Sequence, residues 1–193
     1  MKRRRLLLAY FILVCAGGGA SSCAYHWGNP QRSLPGGYDR IAIPVFINQT
    51  FEPGVEAFFT GSLVEEVERN RLAKVVTKDE SQVLVEGAVS KITYERGAEL
   101  GGGSFGKLPS GTVLTKEYRI FVDVNLRLIR RSDGKVLWAG TFTGERRYPA
   151  PQITIPRLNS ADALYNQSAR MQNIRILAQD MMAKAHANMT ENF

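Results

Sequence analysis

The feature that most constrains the fold is a long stretch of alternating apolar and polar residues that ends in a tight turn. Leu114–Arg130 places Ile120, Val122, Val124, Leu126 and Leu128 on one side, and Asp123, Asn125 and Arg127 on the other. Because successive strand residues point to opposite faces, this pattern predicts a strand that is buried on one face only. The turn signal Asp133-Gly134 and a second apolar stretch, Lys135–Thr143, follow. They predict an antiparallel hairpin.

Two segments have the spacing of helices that are buried along one side. From Val55 to about Arg69, apolar residues recur every four positions, at Val55, Phe59, Leu63 and Val67. From about Ala161 to Ala187 they recur every three or four positions, at Met171, Ile174, Ala178, Met181 and Ala185. A helix with a single apolar stripe has one surface to bury, so both helices are expected on the covered face of the sheet.

The remaining segments complete the predicted fold. Ile41–Phe46 and Ser81–Tyr94 are expected to be strands, and Leu72–Val76 could add an edge strand. Loops are expected at 48–54, in the Gly-rich segment 96–112, and at Tyr148–Pro156, where three prolines predict irregular backbone. The prediction is an α+β fold with two helices packed on one face of a four-stranded mixed or antiparallel sheet, in the order β-α-β-β-β-α.

The N-terminus has the pattern of an export signal. Lys2–Arg5 is basic, Leu6–Ala16 is an uninterrupted apolar run, and Gly17–Ser22 contains only small residues. A membrane-spanning helix needs about 20 apolar residues, so this run is too short to span a bilayer. The alternative is a buried N-terminal helix, which the four consecutive basic residues disfavour.

Ala20-Ser21-Ser22-Cys23 resembles the bacterial lipobox, in which the cysteine is acylated and becomes the mature N-terminus. The predicted organisation is therefore a lipoprotein signal peptide at 1–22, a lipidated N-terminus and tether at 23–38, and a single domain at 39–193. An ordinary signal peptide that leaves Cys23 free is the alternative. Ala24 after the cysteine resembles the sorting signal of outer-membrane lipoproteins.

Charge and composition exclude several function classes. The formal charge of +7 includes Lys2–Arg5, and without them 21 basic residues face 18 acidic ones, so no nucleic-acid partner is predicted. Only His26 and His186 are present, and His186 is expected on a solvated helix face. Without a further cysteine after Cys23, no metal site is expected, and no cofactor or enzymatic activity is predicted.

Basic residues gather around the predicted hairpin, at Arg127, Arg130, Arg131 and Lys135, with Arg146-Arg147 where its second strand ends. Such a cluster could hold phosphate groups through charge-assisted hydrogen bonds. The alternative is a solvated hairpin whose charges prevent strand pairing.

Several segments together resemble the LptE family of lipopolysaccharide-assembly lipoproteins. The resemblance lies in Cys23-Ala-Tyr-His-Trp-Gly, in Ile41–Thr50 (IAIPVFINQT), in Glu52-Pro-Gly54 and in Leu84-Val85-Glu86-Gly87. It implies a non-enzymatic fold of two helices on a four-stranded sheet. It further implies a protein that plugs the outer-membrane β-barrel LptD, assists its assembly and binds lipopolysaccharide.

By the same resemblance, Arg130, Arg131 and Lys135 are the expected lipopolysaccharide-binding residues, and the expected location is the outer membrane, through a lipid on Cys23. The alternative is another class of lipoprotein, an accessory protein that activates a cell-envelope synthase or a secretion complex. Glu52-Pro-Gly54 favours the assembly family.

Overall fold

The computed structural model describes residues 33–97, 99–101, 113–155, 158–159 and 163–191. In chain order the elements are β1 (Arg40–Ala42), β2 (Ile47–Asn48), α1 (Val55–Asn70), β3 (Lys74–Val75), β4 (Val83–Arg96), β5 (Glu99–Gly101), β6 (Val113–Arg130), β7 (Val136–Ile155), β8 (Leu158–Asn159) and α2 (Ala163–Thr190). None of the helices in these ranges is long and apolar enough to cross a membrane.

The sheet is mixed and larger than the sequence predicts. In the described ranges six strands follow the order β3-β1-β4-β6-β7-β8, while β2 pairs with β4 and β5 with β6. The β1–β3, β1–β4 and β2–β4 pairs are parallel, whereas β4–β6 and β6–β7 are antiparallel. The α+β class and the two helices are confirmed. The four-stranded sheet and the order β-α-β-β-β-α are wrong, because the additional strands have only two or three residues, too few to show an alternating pattern.

One core lies between the helices and the sheet. All five alternating residues of β6 from Ile120 to Leu128 are buried, as are the four predicted stripe residues of α1. Four of the five predicted stripe residues of α2 are buried, and Met171 is partly buried against the same core. α1 packs on α2 and β4, and α2 packs on β7, so both helices cover one face. The periodicity therefore predicted the covered face correctly.

The proline-rich segment after Tyr148 is a strand, so the prediction of irregular backbone there is wrong. β7 continues to Ile155, and within this segment it pairs with β6 through Pro149 with Glu117 and Gln152 with Thr115. The register shifts between these two pairs. Such a shift can accommodate prolines, because the ladder is already interrupted there. The other side of β7 is also largely unpaired, so the missing proline N–H groups leave few hydrogen bonds unmade.

The predicted strand Ile41–Phe46 is shorter in the structure, where residues 43–46 are not in a strand. β1 ends at Ala42, and β2 begins at Ile47 and reaches Asn48, in the predicted loop. Between them Phe46 turns into the core at 3% exposure, and its N–H donates to the Thr60 hydroxyl of α1 at 3.0 Å. A helix side chain thus replaces the strand partner of this backbone group.

His186 is buried at 2% exposure, so the prediction of a solvated position is wrong. Near its C-terminus α2 buries a wide face, which includes Met181, Met182, Ala185, His186, Met189 and Thr190. Because α2 packs against both α1 and β7, its buried surface is broader than one stripe. Within the Gly-rich segment Glu99–Gly101 forms β5, while residues 98 and 102–112 lie outside the described ranges.

Candidate functional site

The basic hairpin, which we define as Arg130, Arg131 and Lys135, lies at the turn between β6 and β7. Gly134 has a φ of 69°, a left-handed conformation that glycine adopts at little cost. The Gly134 N–H donates to the Arg130 carbonyl at 2.9 Å, and the Arg130 N–H donates to the Lys135 carbonyl at 2.8 Å. The turn therefore brings the three basic residues to one end of the sheet.

An aspartate within the turn organises the hairpin further. Asp133 accepts the Lys135 N–H at 3.2 Å and pairs with the Arg130 guanidinium at 3.1 Å. The Arg130 Nε–H is buried and has no hydrogen-bond partner among the described residues. Arg130 is thus held to the turn by Asp133 and has one donor that is shielded from water.

Arg131 and Lys135 differ in their surroundings. Arg131 donates to the backbone carbonyl of Asp79 and pairs with its carboxylate at 3.1 Å. Asp79 is 94% exposed, so solvent weakens this pair. The Lys135 side chain is exposed and has no partner in the described part of the chain. Of the three cations, Lys135 is therefore the most available to an anionic ligand.

A cavity opens beside the turn. Its volume is about 410 Å³, and its lining residues are Tyr38, Ser81, Gln82, Arg130, Arg131 and Ser132. Hydroxyl, amide and guanidinium groups on one surface can donate hydrogen bonds to a phosphate or a sugar. The sequence missed this cavity because Tyr38 and Ser81 come from segments that are distant along the chain.

The other predicted basic residues are distributed along the sheet. Arg127 pairs with Glu86 of β4 at 2.7 Å, and Arg147 with Glu145 at 3.6 Å. Arg146 turns to the helix side, where it donates to the Asn173 side chain at 2.9 Å. Arg127 therefore joins two strands and Arg146 joins β7 to α2, while Arg147 pairs within its own strand, so none of the three extends the basic hairpin.

The face of the sheet away from the helices, which we call the open face, is hydrophilic. Its exposed residues on β4, β6 and β7 include Glu86, Lys91, Glu95, Asn125, Arg127, Ala139, Thr141, Thr143, Glu145 and Arg147. The Thr141 hydroxyl donates to Asn125 at 2.8 Å, and the Thr143 hydroxyl donates to Asp123 at 2.7 Å. Since the charges and hydroxyls pair with one another across strands, this face can remain stable in contact with water or with a polar wall.

The sequence reasoning also missed a polar cluster that joins three parts of the fold. Glu52, before α1, accepts the Tyr94 hydroxyl at 2.7 Å and pairs with Arg170 of α2 at 3.4 Å. The Arg170 guanidinium lies 5.2 Å from the centre of the Tyr94 ring. Burial, and next the hydrogen bond to Glu52, raise the pKa of Tyr94. The Glu52-Pro-Gly54 motif was the available signal, and its structural role is to hold this cluster.

Tyr118 and Tyr148 lie near this cluster, at the end of the sheet away from the basic hairpin. Their rings stack with centres 5.8 Å apart. Burial raises the pKa of Tyr148, and the Arg170 charge nearby lowers it by less. A cavity of about 380 Å³ lies here, with Arg170 and the three tyrosines among its lining residues.

The predicted lipidation site cannot be placed on this framework. Cys23 lies outside the described residues, as do the signal peptide and most of the tether. In the described ranges no group of three or more histidine, cysteine, aspartate or glutamate side chains is arranged to hold a metal ion.

The fold and the basic hairpin define an α+β domain that presents a charged turn and a hydrophilic sheet face. The model of the LptE family, described as lipopolysaccharide-assembly, matches residues 38–187. This chain belongs to that family, as its N-terminal motifs indicated. The family is a non-enzymatic component of lipopolysaccharide transport and assembly. No curated protein sequence matches the chain.

Solved structures are similar to this chain at low sequence identity. The PelC dodecamer from Paraburkholderia phytofirmans is 16% identical, with a TM-score of 0.50, over 83% of this chain and 95% of that chain. A minor lipoprotein from Acinetobacter baumannii is 15% identical, with a TM-score of 0.46, over 79% of this chain and 91% of that chain. At 16% identity the likeness to PelC concerns the fold alone.

Proposed function

We propose that the chain is an outer-membrane lipoprotein, anchored through an acylated Cys23, that plugs an LptD-type β-barrel and assists its assembly. We also propose that it binds lipopolysaccharide during insertion into the outer leaflet. The observation that carries the proposal is the family match over 38–187, which covers nearly all of the folded domain. The LptE family acts in lipopolysaccharide assembly, and a barrel partner is what membership implies.

The surface of the domain supports the proposed plug. The lumen of a large transmembrane barrel is polar, because lipid-facing and lumen-facing residues alternate along its strands. A protein inside such a lumen therefore needs a hydrophilic surface. The open face meets this requirement, since its polar side chains are paired across β4, β6 and β7.

The basic hairpin supports the proposed lipid binding. Lipopolysaccharide carries several phosphates, and a rigid turn loses little conformational freedom when it binds them. Arg130 and Arg131 retain donors beyond those used by their aspartate partners, and Lys135 keeps its whole ammonium group available. Arg130, Arg131 and Lys135 are thus the proposed contacts.

A charge-reversal experiment tests the lipid site. Arg131→Glu with Lys135→Glu should abolish lipopolysaccharide binding, and the melting temperature should stay close to that of the wild type, since exposed charge changes usually cost under about 0.5 kcal/mol. Arg69→Glu with Lys184→Glu is the matched control, because both residues are exposed helix positions and the change in charge is the same. Wild-type binding should also weaken as salt increases. Equal binding by the two folded double variants would assign the hairpin to the solvated alternative.

A second experiment tests the barrel partner. The full chain with a C-terminal tag should co-purify a large outer-membrane barrel from detergent extracts, identified by mass spectrometry. The accessory-lipoprotein alternative instead predicts a cell-envelope synthase or secretion component in the same eluate. A folded, membrane-extracted chain that brings down no barrel would refute the plug.

A further inference from the structure

The long strand β7 has one side without a strand partner over most of its length. β6 pairs with residues 136–149 on one side, and β8 pairs only with Thr154 and Ile155. We call the side of residues 136–149 that faces away from β6 the outer edge of β7. Among the described residues no backbone hydrogen bond reaches this edge. Unpaired N–H and C=O groups in such a row are a template for another strand.

The first part of this edge lacks the features that usually prevent pairing. Soluble proteins protect edge strands with charged residues, prolines or irregularities. Residues 136–144 (VLWAGTFTG) contain no charge and no proline, and those begin only at Glu145 and Pro149. One register shift occurs at Leu128/Ile129, opposite the start of β7, but the ladder from Trp138 to Gly144 is regular. This regular part can accept a partner strand.

The edge is complementary to itself when two copies run antiparallel about Gly140. In that register Trp138 of one copy faces Phe142 of the other, and Ala139 faces Thr141. At the ends of the segment Lys135 meets Glu145, a pair of opposite charge. Opposite charges and aromatic pairs across strands stabilise a sheet.

The charges select this register over its neighbour. If Thr141 instead lay opposite its own copy, Lys135 would meet Arg147, and like charges that face each other destabilise a pair. An isologous contact of this kind also closes after two copies, so it does not propagate into a fibre.

The aromatic residues of the edge already lie where a second copy would cover them. The Trp138 and Phe142 rings have centres 6.0 Å apart and lie on either side of Gly140, where an added Cβ would be 2.9 Å from both. Both rings are only partly buried against the core. Pairing about Gly140 brings four rings together and removes part of their remaining exposed surface from water.

We propose that the outer edge of β7 is a dimerisation surface, through which two copies of this chain pair antiparallel about Gly140 when no barrel is bound. The two sheets then form one continuous sheet with the helices of both copies on the same side. The proposal goes beyond the proposed function and does not rest on it, because it uses only the composition, exposure and register of β7.

Cysteine cross-linking of the full chain in cells tests the register. Ala139→Cys with Thr141→Cys places each new cysteine opposite its counterpart, at a Cα separation that a disulfide accepts. This variant should give a dimer on non-reducing gels, whereas the unmodified chain should not. Ala139→Cys with Thr143→Cys, which suits the neighbouring register, should give much less dimer. Failure of the 139/141 pair to cross-link, or stronger cross-linking by the 139/143 pair, would overturn the proposal.

A charge experiment on the same two exposed positions tests whether pairing of this edge stabilises the dimer. Ala139→Lys with Thr141→Lys places like charges opposite each other twice, whereas Ala139→Lys with Thr141→Glu places opposite charges there. In sedimentation of the detergent-extracted full chain without barrel, the first variant should dimerise about tenfold or more weakly than the second. Both variants should retain the circular dichroism of the wild type, since both positions are exposed. Equal self-association of the two folded variants would show that the edge does not pair in this way.

Discussion

Gly87→Ala tests how β4 and the loop before α1 fit together. Gly87 occupies a core-facing position in the alternating pattern of β4, where a larger apolar residue would be usual. The reason is Phe46, whose ring lies over this glycine. An added Cβ would be 2.5 Å from two ring atoms, which is far inside van der Waals contact.

Two opposing effects set the change in the free energy of unfolding that Gly87→Ala causes. Overpacking a closed core costs about 1–3 kcal/mol. Removing a strand glycine restores about 0.5–1 kcal/mol, because alanine has less conformational freedom to lose on folding. Since Phe46 is only 3% exposed and cannot move aside without leaving the core, the first effect prevails. Gly87→Ala should therefore lower the free energy of unfolding by about 1–2 kcal/mol.

A double-mutant cycle in urea unfolding isolates the contact, with residues 24–193 as the protein. Phe46→Ala alone should cost about 3–5 kcal/mol. In that background Gly87→Ala should be neutral or stabilising, so the coupling should be about 1–3 kcal/mol. Gly61→Ala is the control, because nothing lies within 4 Å of its added Cβ in α1. It should stabilise the protein by up to about 1 kcal/mol.

One outcome of the double-mutant cycle would contradict the role of the Phe46 ring. If Gly87→Ala costs the same with and without the Phe46 ring, the ring is not the reason for the glycine. The account of how the chain between β1 and β2 enters the core would then be wrong.

Three further predictions concern separate features. Tyr94→Phe should lower the free energy of unfolding by about 1 kcal/mol at neutral pH. Because the pKa of Tyr94 is raised in the folded state, the stabilisation by its hydroxyl is present below about pH 10 and is lost as the pH rises above it. The melting temperature of the variant should therefore fall less between pH 9 and 11 than that of the wild type. Gly134→Ala should cost about 1 kcal/mol in urea unfolding, because its φ of 69° suits glycine, and Gly134→Asn should cost less; equal losses would contradict a conformational cause. Cys23→Ala should leave unprocessed precursor or a soluble periplasmic form, so stable fractionation of this variant with outer membranes in the absence of its partner would refute lipidation as the anchor.

Periodicity predicted the parts of the fold that are long enough to repeat a pattern. The alternation from Ile120 to Leu128 and the stripe of α1 both mark residues that are buried in the structure. The Asp133-Gly134 turn was equally predictable from the sequence, because few residues adopt the left-handed conformation that it needs. The family was also readable, from motifs near the N-terminus that the match over 38–187 confirms.

The short strands, the prolines within β7 and the buried histidine depended on tertiary contacts. The strands β1, β2, β3, β5 and β8 exist because a long neighbour offers backbone partners, and two or three residues carry no period. Pro149 and Pro151 remain in a strand because the register shifts there and little pairs on the other side of β7 among the described residues. His186 is buried on a helix that packs against both α1 and β7, so more than one of its faces is covered.

The same division holds for the candidate site. The sequence by itself determined that Arg130, Arg131 and Lys135 share one turn, because residues four or five positions apart across an Asp-Gly turn are close in any fold. Only the tertiary structure decided their charge environment, since Asp79 reaches Arg131 from a segment 52 positions away in the chain. It also decided that Glu52, Tyr94 and Arg170 meet. Contacts between distant segments depend on how the helices and the sheet pack, and no local pattern records that packing.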